Sequence, residues 1–252
     1  MQIGLIGAGN MARALARGWG RPVLCADPVF ERAEALAEET GGEALTGNPD
    51  VAARADLVVL CHKPAQLEPV AGEIAPQARA VASILAGRSL AQLKAAYPDR
   101  PVYRFMPSLP VEVRQGAVVQ AADDAGEALD AEVRTLFAEL GTLVVLDDAL
   151  LDVATGLMSC APAYVALVAE AQVDAGVRRG IPPGPGAELV VQTLAGTAEL
   201  LRRRGNDTLA VRREVSSPGG VTARGLDALE RGGVRAAFSN ALDAVLGPRE
   251  AR

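Results

Sequence analysis

The hexapeptide Gly7-Ala8-Gly9-Asn10-Met11-Ala12 restricts this chain more than any other feature of its sequence. It follows an apolar run at residues 2–6 and opens a stretch of helical periodicity at residues 11–18. At such a junction each small residue has a separate reason. Gly7 permits the tight turn, Gly9 leaves the backbone bare where a pyrophosphate lies, and Ala12 lets helix and strand pack closely. The phosphates then meet the N–H groups of the first helical turn. A glycine turn between any strand and helix imitates the pattern, so its context decides. Here strand and helix flank it in order, and the next strand-like run ends in Asp27, 20 residues after Gly7. A carboxylate at that place accepts a hydrogen bond from the adenosine ribose 2′-hydroxyl and repels a 2′-phosphate. The motif therefore predicts a bound nicotinamide dinucleotide, NADPH or NADH, with a lean toward NADH. Arg32, one helical turn further on, reads either as a phosphate partner or as a plain surface arginine.

The first half of the chain repeats this strand-then-helix order. Strand-like runs fall at residues 2–6, 23–26, 56–61, 80–85, 102–105, 117–120 and 143–146, with helical stretches at 11–18, 31–39, 90–96 and 127–139. Alternation of this kind implies parallel strands joined by right-handed crossovers. The expected fold class is α/β, with a Rossmann dinucleotide-binding domain over residues 1–150. After that the pattern changes to long Ala/Leu/Val-rich helical segments at 153–177 and 187–203, then 226–231 and 234–246. This predicts an all-helical domain over residues 151–252. Aromatic residues are 3% of the chain, so small side chains must carry its packing. Many of its apolar positions are expected to be covered by a second subunit.

Composition removes several function classes. The formal net charge of -6 argues against nucleic acid as a partner, and Arg202-Arg203-Arg204 reads as a solvated helix end. No run approaches the roughly 20 uninterrupted apolar residues of a membrane span. The N-terminus lacks the basic start and cleavage site of a signal peptide, so a cytoplasmic location is expected. Cys25, Cys61 and Cys160 are distant and odd in number, which fits reduced thiols. With His62 as the single histidine, neither a metal site nor a Ser-His-Asp triad has a local motif. Cys160 reads as a packed thiol, and His62 by itself as a spectator rather than an acid–base catalyst.

A set of segments in fixed order resembles the pyrroline-5-carboxylate reductase family. The G-x-G-N-M loop stands at Gly7 to Met11, V-K-P as His62-Lys63-Pro64, and S-I-x-A-G as Ser83-Ile84-Leu85-Ala86-Gly87. The R-x-M-P-N-T-P segment is Arg104-Phe105-Met106-Pro107-Ser108-Leu109-Pro110. G-P-A-Y is Ala161-Pro162-Ala163-Tyr164, A-D-A-G-V is Val173-Asp174-Ala175-Gly176-Val177, and S-P-G-G-x-T is Ser217-Pro218-Gly219-Gly220-Val221-Thr222. The likeness covers nearly the whole chain.

That resemblance implies NAD(P)H-dependent hydride transfer to the C=N carbon of a cyclic imine bearing a carboxylate, giving L-proline. It implies cofactor contacts from Asn48 on the adenosine side. Cys61, His62, Lys63, Pro64, Ala86, Gly87, Met106 and Pro107 would line the nicotinamide side. Ser217, Gly219, Gly220, Val221 and Thr222 would hold the substrate carboxylate, with Ser217 and Thr222 nearest the chemistry. It also implies a homodimer or ring of dimers, with the active site between one subunit's Rossmann domain and its partner's helices. The chain departs from the family's S-G-S-G at Met158-Ser159-Cys160-Ala161 and from its N-T at Ser108-Leu109. Side chains at residues 158–161 are expected to fill space beside the ligand. Those departures keep two alternatives open: a reductase of another imino or 2-oxo acid, and a non-catalytic dinucleotide-binding regulatory protein.

Overall fold

A strand covered by helices on both faces must be apolar throughout, and the short runs of the first half meet that demand. The computed structural model describes residues 1–123 and 128–247. In chain order it forms β1 (Ile3–Ile6), α1 (Asn10–Trp19), β2 (Leu24–Ala26), α2 (Phe30–Thr40), β3 (Glu43–Ala44) and α3 (Asn48–Arg54). There follow β4 (Leu57–Leu60), α4 (Leu67–Ile74), β5 (Val81–Ser83), α5 (Leu90–Ala96) and β6 (Val102–Pro107). Strands β1, β2, β4, β5 and β6 are buried at every position. The two-residue β3, half-buried at best, has no apolar pattern and was not expected.

The sheet continues through β7 (Gly116–Ala121), α6 (Ala128–Ala138) and β8 (Gly141–Leu146), in the order β3-β2-β1-β4-β5-β6-β7-β8. Pairing is parallel from β3 to β6, but β7 runs antiparallel to β6, contrary to the uniformly parallel expectation. The reason is chain length. Only residues 108–115 join β6 to β7, fewer than the dozen or so that a parallel crossover needs. The longer link through α6 then returns β8 parallel to β7. The expected helix start at Glu127 lies outside the described residues.

Apolar side chains form two cores, one on each sheet face. Leu15 and Trp19 of α1, Leu36 of α2, and Val133, Leu136 and Phe137 of α6 fill one. Val51 of α3, Leu67 and Ile74 of α4, and Leu93 of α5 fill the other. The Trp19 indole N–H donates to the Leu136 carbonyl at 2.9 Å, and Phe105 stacks on Phe137 at 3.7 Å. Helix α1 also lies directly on the turn at Leu109–Val113. A Cβ at Gly18 would stand 2.2 Å from the Val111 carbonyl oxygen.

Contacts divide the chain into two units, Met1–Pro162 and Ala163–Arg252. The expected helix at 153–177 is interrupted: α7 (Leu151–Ala154) leads into a π-helical turn, Thr155–Ser159, before α8 (Ala161–Val177). Pro162 explains the interruption, because it lacks an N–H and its ring would crowd the carbonyl four residues earlier in a regular helix. The stretch Asp148–Val177 is long and apolar enough to cross a membrane by length and composition, which counting uninterrupted apolar runs did not anticipate.

The second unit continues with α9 (Pro183–Arg203), α10 (Thr208–Glu214), α11 (Val221–Arg231) and α12 (Val234–Leu246). Helix α10, absent from the expectation, is short and starts on Asp207, whose carboxylate accepts from the N–H groups of Leu209 and Ala210. Among the described residues of this unit only Gly186 and Val211 are buried. Leu167, Leu189, Val191, Leu229 and Phe238 are at least half exposed.

Candidate active site

The C-terminal ends of β1, β4, β5 and β6 open onto a cavity of about 660 Å³, and its floor is the glycine loop. Gly7 holds φ +100°, and a Cβ there would sit 2.8 Å from the carbonyl carbon and oxygen of Cys61. The turn is therefore closed to any other residue. A Cβ at Gly9 meets nothing within 4 Å, because that position faces open space. Gly9 caps α1 without a side chain, and the first-turn amides of α1 have no intrahelical acceptor. Bare, positively polarised backbone beside an open cavity is a cradle for a pyrophosphate.

Asp27 closes one side of the cradle. One carboxylate oxygen accepts from the Ala8 N–H at 2.8 Å and the other from the Val29 N–H at 2.9 Å. The carboxylate thus holds the glycine loop to the end of β2 and still lines the cavity, with Arg32 on the same wall. Cys61, His62, Lys63 and Pro64 form the wall after β4. Burial pushes the Cys61 thiol up to about 12, so it presents a neutral S–H. The His62 Nδ1 lies 2.9 Å from the Lys63 carbonyl, which can only accept, so the proton resides on Nδ1. Nε2 is buried with no hydrogen-bond partner. Burial lowers the His62 pKa, against weaker opposing effects of the Lys63 carbonyl and the Glu73 charge.

The far end of the cavity is made by Ile84, Leu85, Ala86, Met106 and Pro107, together with Thr155 and Ser159 of the π-helical turn. The Ser159 hydroxyl donates to the Pro107 carbonyl at 2.9 Å, and that of Thr155 to the Leu151 carbonyl at 2.8 Å. Arg104, behind this end, is 2% exposed and donates to Asp148 at 2.7 Å and to Asp152 at 2.8 Å. It anchors the segment leading into the π-helical turn. In the helical unit, Gly219 adopts φ +70° and Gly220 caps α11, with its N–H bonded to the Ser217 carbonyl at 3.0 Å. Ser217 therefore lies beside the start of a helix whose first residues are Val221 and Thr222.

Two family models match the chain: "NADP oxidoreductase coenzyme F420-dependent" over residues 2–87, and "pyrroline-5-carboxylate reductase dimerisation" over residues 148–249. A Thermus thermophilus protein named pyrroline-5-carboxylate reductase is 40% identical, covering 97% of this chain and 95% of its own length. The chain belongs to the pyrroline-5-carboxylate reductase family. A Synechocystis member is 33% identical over 97% of the chain and 95% of its own. The solved Streptococcus pyogenes enzyme superposes with a TM-score of 0.86 at 31% identity, covering 97% of this chain and 96% of that one. The Plasmodium falciparum pyrroline carboxylate reductase, solved with NADP bound, gives 0.86 at 26% identity over 97% and 95%. The dimerisation match spans the helices whose apolar side chains stand exposed, which supports self-association through them.

Of the residues that the family resemblance and the fingerprint singled out, Gly7, Gly9, Asn10, Met11, Asp27, Cys61, His62, Lys63, Pro64, Ala86, Met106 and Pro107 line one cavity. Ala12 lies behind it, buried against the sheet, and Gly87 takes φ +69° without lining it. Asn48 is also not on the cavity wall: its amide donates to Glu73 at 2.7 Å. The departures from the family pattern resolve differently. Met158 packs against the core and does not line the cavity, contrary to expectation, whereas Ser159 does line it. The buried Ser108 hydroxyl accepts from the Ala117 N–H at 2.9 Å, a bond between chain segments. Thr155 and Ser159 carry no local sequence signal for a pocket. The only trace of Ser159 is that it stands where the family has glycine.

Proposed function

We propose that this chain reduces 1-pyrroline-5-carboxylate to L-proline with a hydride from NADH or NADPH. The observation that carries the reading is the cradle formed by Gly7, Gly9 and the start of α1, in a chain 40% identical to a named reductase over nearly its full length. The dinucleotide, when bound, supplies the hydride. What the protein supplies is placement. A cyclic imine is readily protonated near neutral pH, and the iminium carbon is already electrophilic. Holding two molecules in reactive geometry then replaces strong acid catalysis. This suits a site whose one histidine is held neutral.

The substrate carboxylate is assigned to Ser217, Gly219, Gly220, Val221 and Thr222, where helix-start amides and two hydroxyls offer donors to an anion. Ser217 and Thr222 are the residues assigned to the reacting end. Asp27 favours NADH, because a carboxylate on the cavity wall repels a 2′-phosphate. Cofactor contacts are assigned to the cavity-lining residues of the glycine loop, the β4 wall and the far end. Asn48 would reach the adenosine side only by leaving Glu73. The protein is proposed to be cytoplasmic, to act on a small molecule without nucleic acid or membrane, and to assemble as a homodimer or ring of dimers. The partner would cover the apolar faces of the helical unit, including those of Asp148–Val177.

Oxidation of NADH and NADPH, run in parallel with pyrroline-5-carboxylate, tests this. Saturable turnover with NADH preferred supports both parts, and a preference for NADPH overturns the assignment to Asp27. Thr222→Ala should cut turnover by about tenfold or more while leaving dinucleotide affinity unchanged; equal loss of both would remove the loop as substrate site. A reductase of a different imino or 2-oxo acid is favoured by one observation, the Ser159 side chain on the cavity wall. Turnover of such a compound, without turnover of pyrroline-5-carboxylate, would establish it.

A further inference from the structure

The Ser159 hydroxyl joins two walls of the cavity that are 52 residues apart in sequence, the π-helical turn and the end of β6. Its hydrogen is committed to the Pro107 carbonyl at 2.9 Å; the Met158 sulfur at 3.4 Å is a weaker acceptor. That commitment fixes the rotor and leaves the oxygen with lone pairs only. The residue is half-buried and lines the cavity, so what the hydroxyl has left to offer a ligand there is an acceptor. A hydroxyl has one hydrogen and two acceptor sites, so both roles can be filled together. π-Helical turns recur at functional sites because the extra residue displaces side chains that a regular helix would stack along its face.

The end of the dinucleotide that reaches Ser159 follows from the fold. The pyrophosphate lies over Gly9 at the start of α1, and the adenosine turns toward Asp27 at the end of β2. The other half of the cofactor must then cross the ends of β4, β5 and β6, toward Ala86, Met106, Pro107 and Ser159. The donors on that half are the two ribose hydroxyls and the carboxamide NH₂, and the NH₂ is the one carried by the ring itself, at the end furthest from the pyrophosphate. We propose that the Ser159 oxygen accepts a hydrogen bond from this NH₂ and so fixes the rotation of the nicotinamide ring. Ser159 is thereby a cofactor-positioning residue that the family's glycine at this place does not supply. The proposal rests on the dinucleotide reading of the cavity.

The test is a thermodynamic cycle on binding, needing no turnover. Calorimetry measures the Kd of tag-free protein for NADH and for its 3-acetylpyridine analogue, in which a methyl group replaces the NH₂. In the unaltered protein the analogue should bind about three- to tenfold more weakly, the range of one hydrogen bond. Ser159→Ala should bring the ratio of the two Kd values to about one, and Ser159→Thr, which keeps the hydroxyl, should restore it. A ratio unchanged in Ser159→Ala overturns the proposal. So does a ratio that collapses in Thr155→Val instead. If neither NADH nor NADPH binds the unaltered protein, the dinucleotide reading itself has failed. ADP-ribose, which lacks the nicotinamide but keeps the ribose hydroxyls, should bind equally to the unaltered protein and Ser159→Ala; weaker binding to the variant would mean that Ser159 acts on the rest of the cofactor and would overturn the assignment to the carboxamide.

Discussion

Replacing Arg104 should cost less than replacing the two carboxylates that face it. Arg104 is 2% exposed, while the side chains of Asp148 and Asp152 are 28% and 58% exposed. The guanidinium makes hydrogen bonds of 2.7 and 3.2 Å to the Asp148 carboxylate and carbonyl, and one of 2.8 Å to Asp152. Three bonds to or from charged groups, at about 1.5–3 kcal/mol each, are the gross gain, and burying the cation costs several kcal/mol in return. In Arg104→Met that desolvation cost disappears. Asp152 is left in water, and Asp148 retains the Leu90 N–H at 3.0 Å. The net loss should be about 2 kcal/mol.

In the Asp148→Asn, Asp152→Asn double variant the cation stays buried without a counter-charge. Such groups cost about 3–5 kcal/mol. Asp152→Asn alone, at an exposed site, should cost about 1 kcal/mol or less. Urea unfolding at fixed protomer concentration reads all three, since self-association makes apparent stability concentration-dependent. If Arg104→Met costs as much as the double variant, the asymmetry argued from burial is wrong. If it costs nothing, Arg104 does not anchor the segment before the π-helical turn.

Two further outcomes follow from local geometry. Gly18→Ala should destabilise the fold by about 3 kcal/mol, because its Cβ would meet a carbonyl oxygen at 2.2 Å and the Leu140 side chain at 2.6 Å. Gly9→Ala should leave stability within about 1 kcal/mol and weaken NADH binding; urea unfolding and NADH fluorescence separate the two, and equal destabilisation by both substitutions would contradict the packing. His62, the single histidine, titrates below its usual value because burial disfavours the charged ring. Both states are neutral above the unfolded pKa of about 6.5, so stability is full there and declines as pH falls below it, where only the unfolded chain takes up the proton. NMR of the lone imidazole should show it mostly neutral at pH 6.5, and His62→Val should flatten the stability profile as pH falls below about 6.5. A ring half-protonated at pH 6.5 or above would refute this.

Much of the nucleotide half was readable in the chain. A glycine loop between strand and helix, with an acid ending the next strand, is a local arrangement that few folds share, and it brought Gly7, Gly9 and Asp27 to one cavity. The antiparallel turn of β7 was not legible: the strand-like runs at 102–105 and 117–120 leave eleven residues between them, close to a crossover's length, and the link shortens to 108–115 only because β6 and β7 both extend beyond those runs. At Asn48 the sequence supplied the position and the structure supplied the side chain's partner. Its position in the chain fits the family, but its amide is turned to Glu73, a partner chosen by the packing of α3 beside α4.

The sequence by itself determined the fold class, the glycine cradle and the change to helices after residue 150, because periodicity and glycine placement act over a few residues. It also carried the apolar excess of the helices, and among the described residues of the second unit only Gly186 and Val211 are buried. Only the tertiary structure decided that Ser159 and Thr155 share a wall with Pro107, that Met158 turns into the core, and that Arg104 holds Asp148 and Asp152. The hydrogen bonds among them join residues 44, 48 and 52 apart. Which distant side chains meet depends on how helix and sheet pack together, a constraint on the whole molecule that no short stretch of chain records.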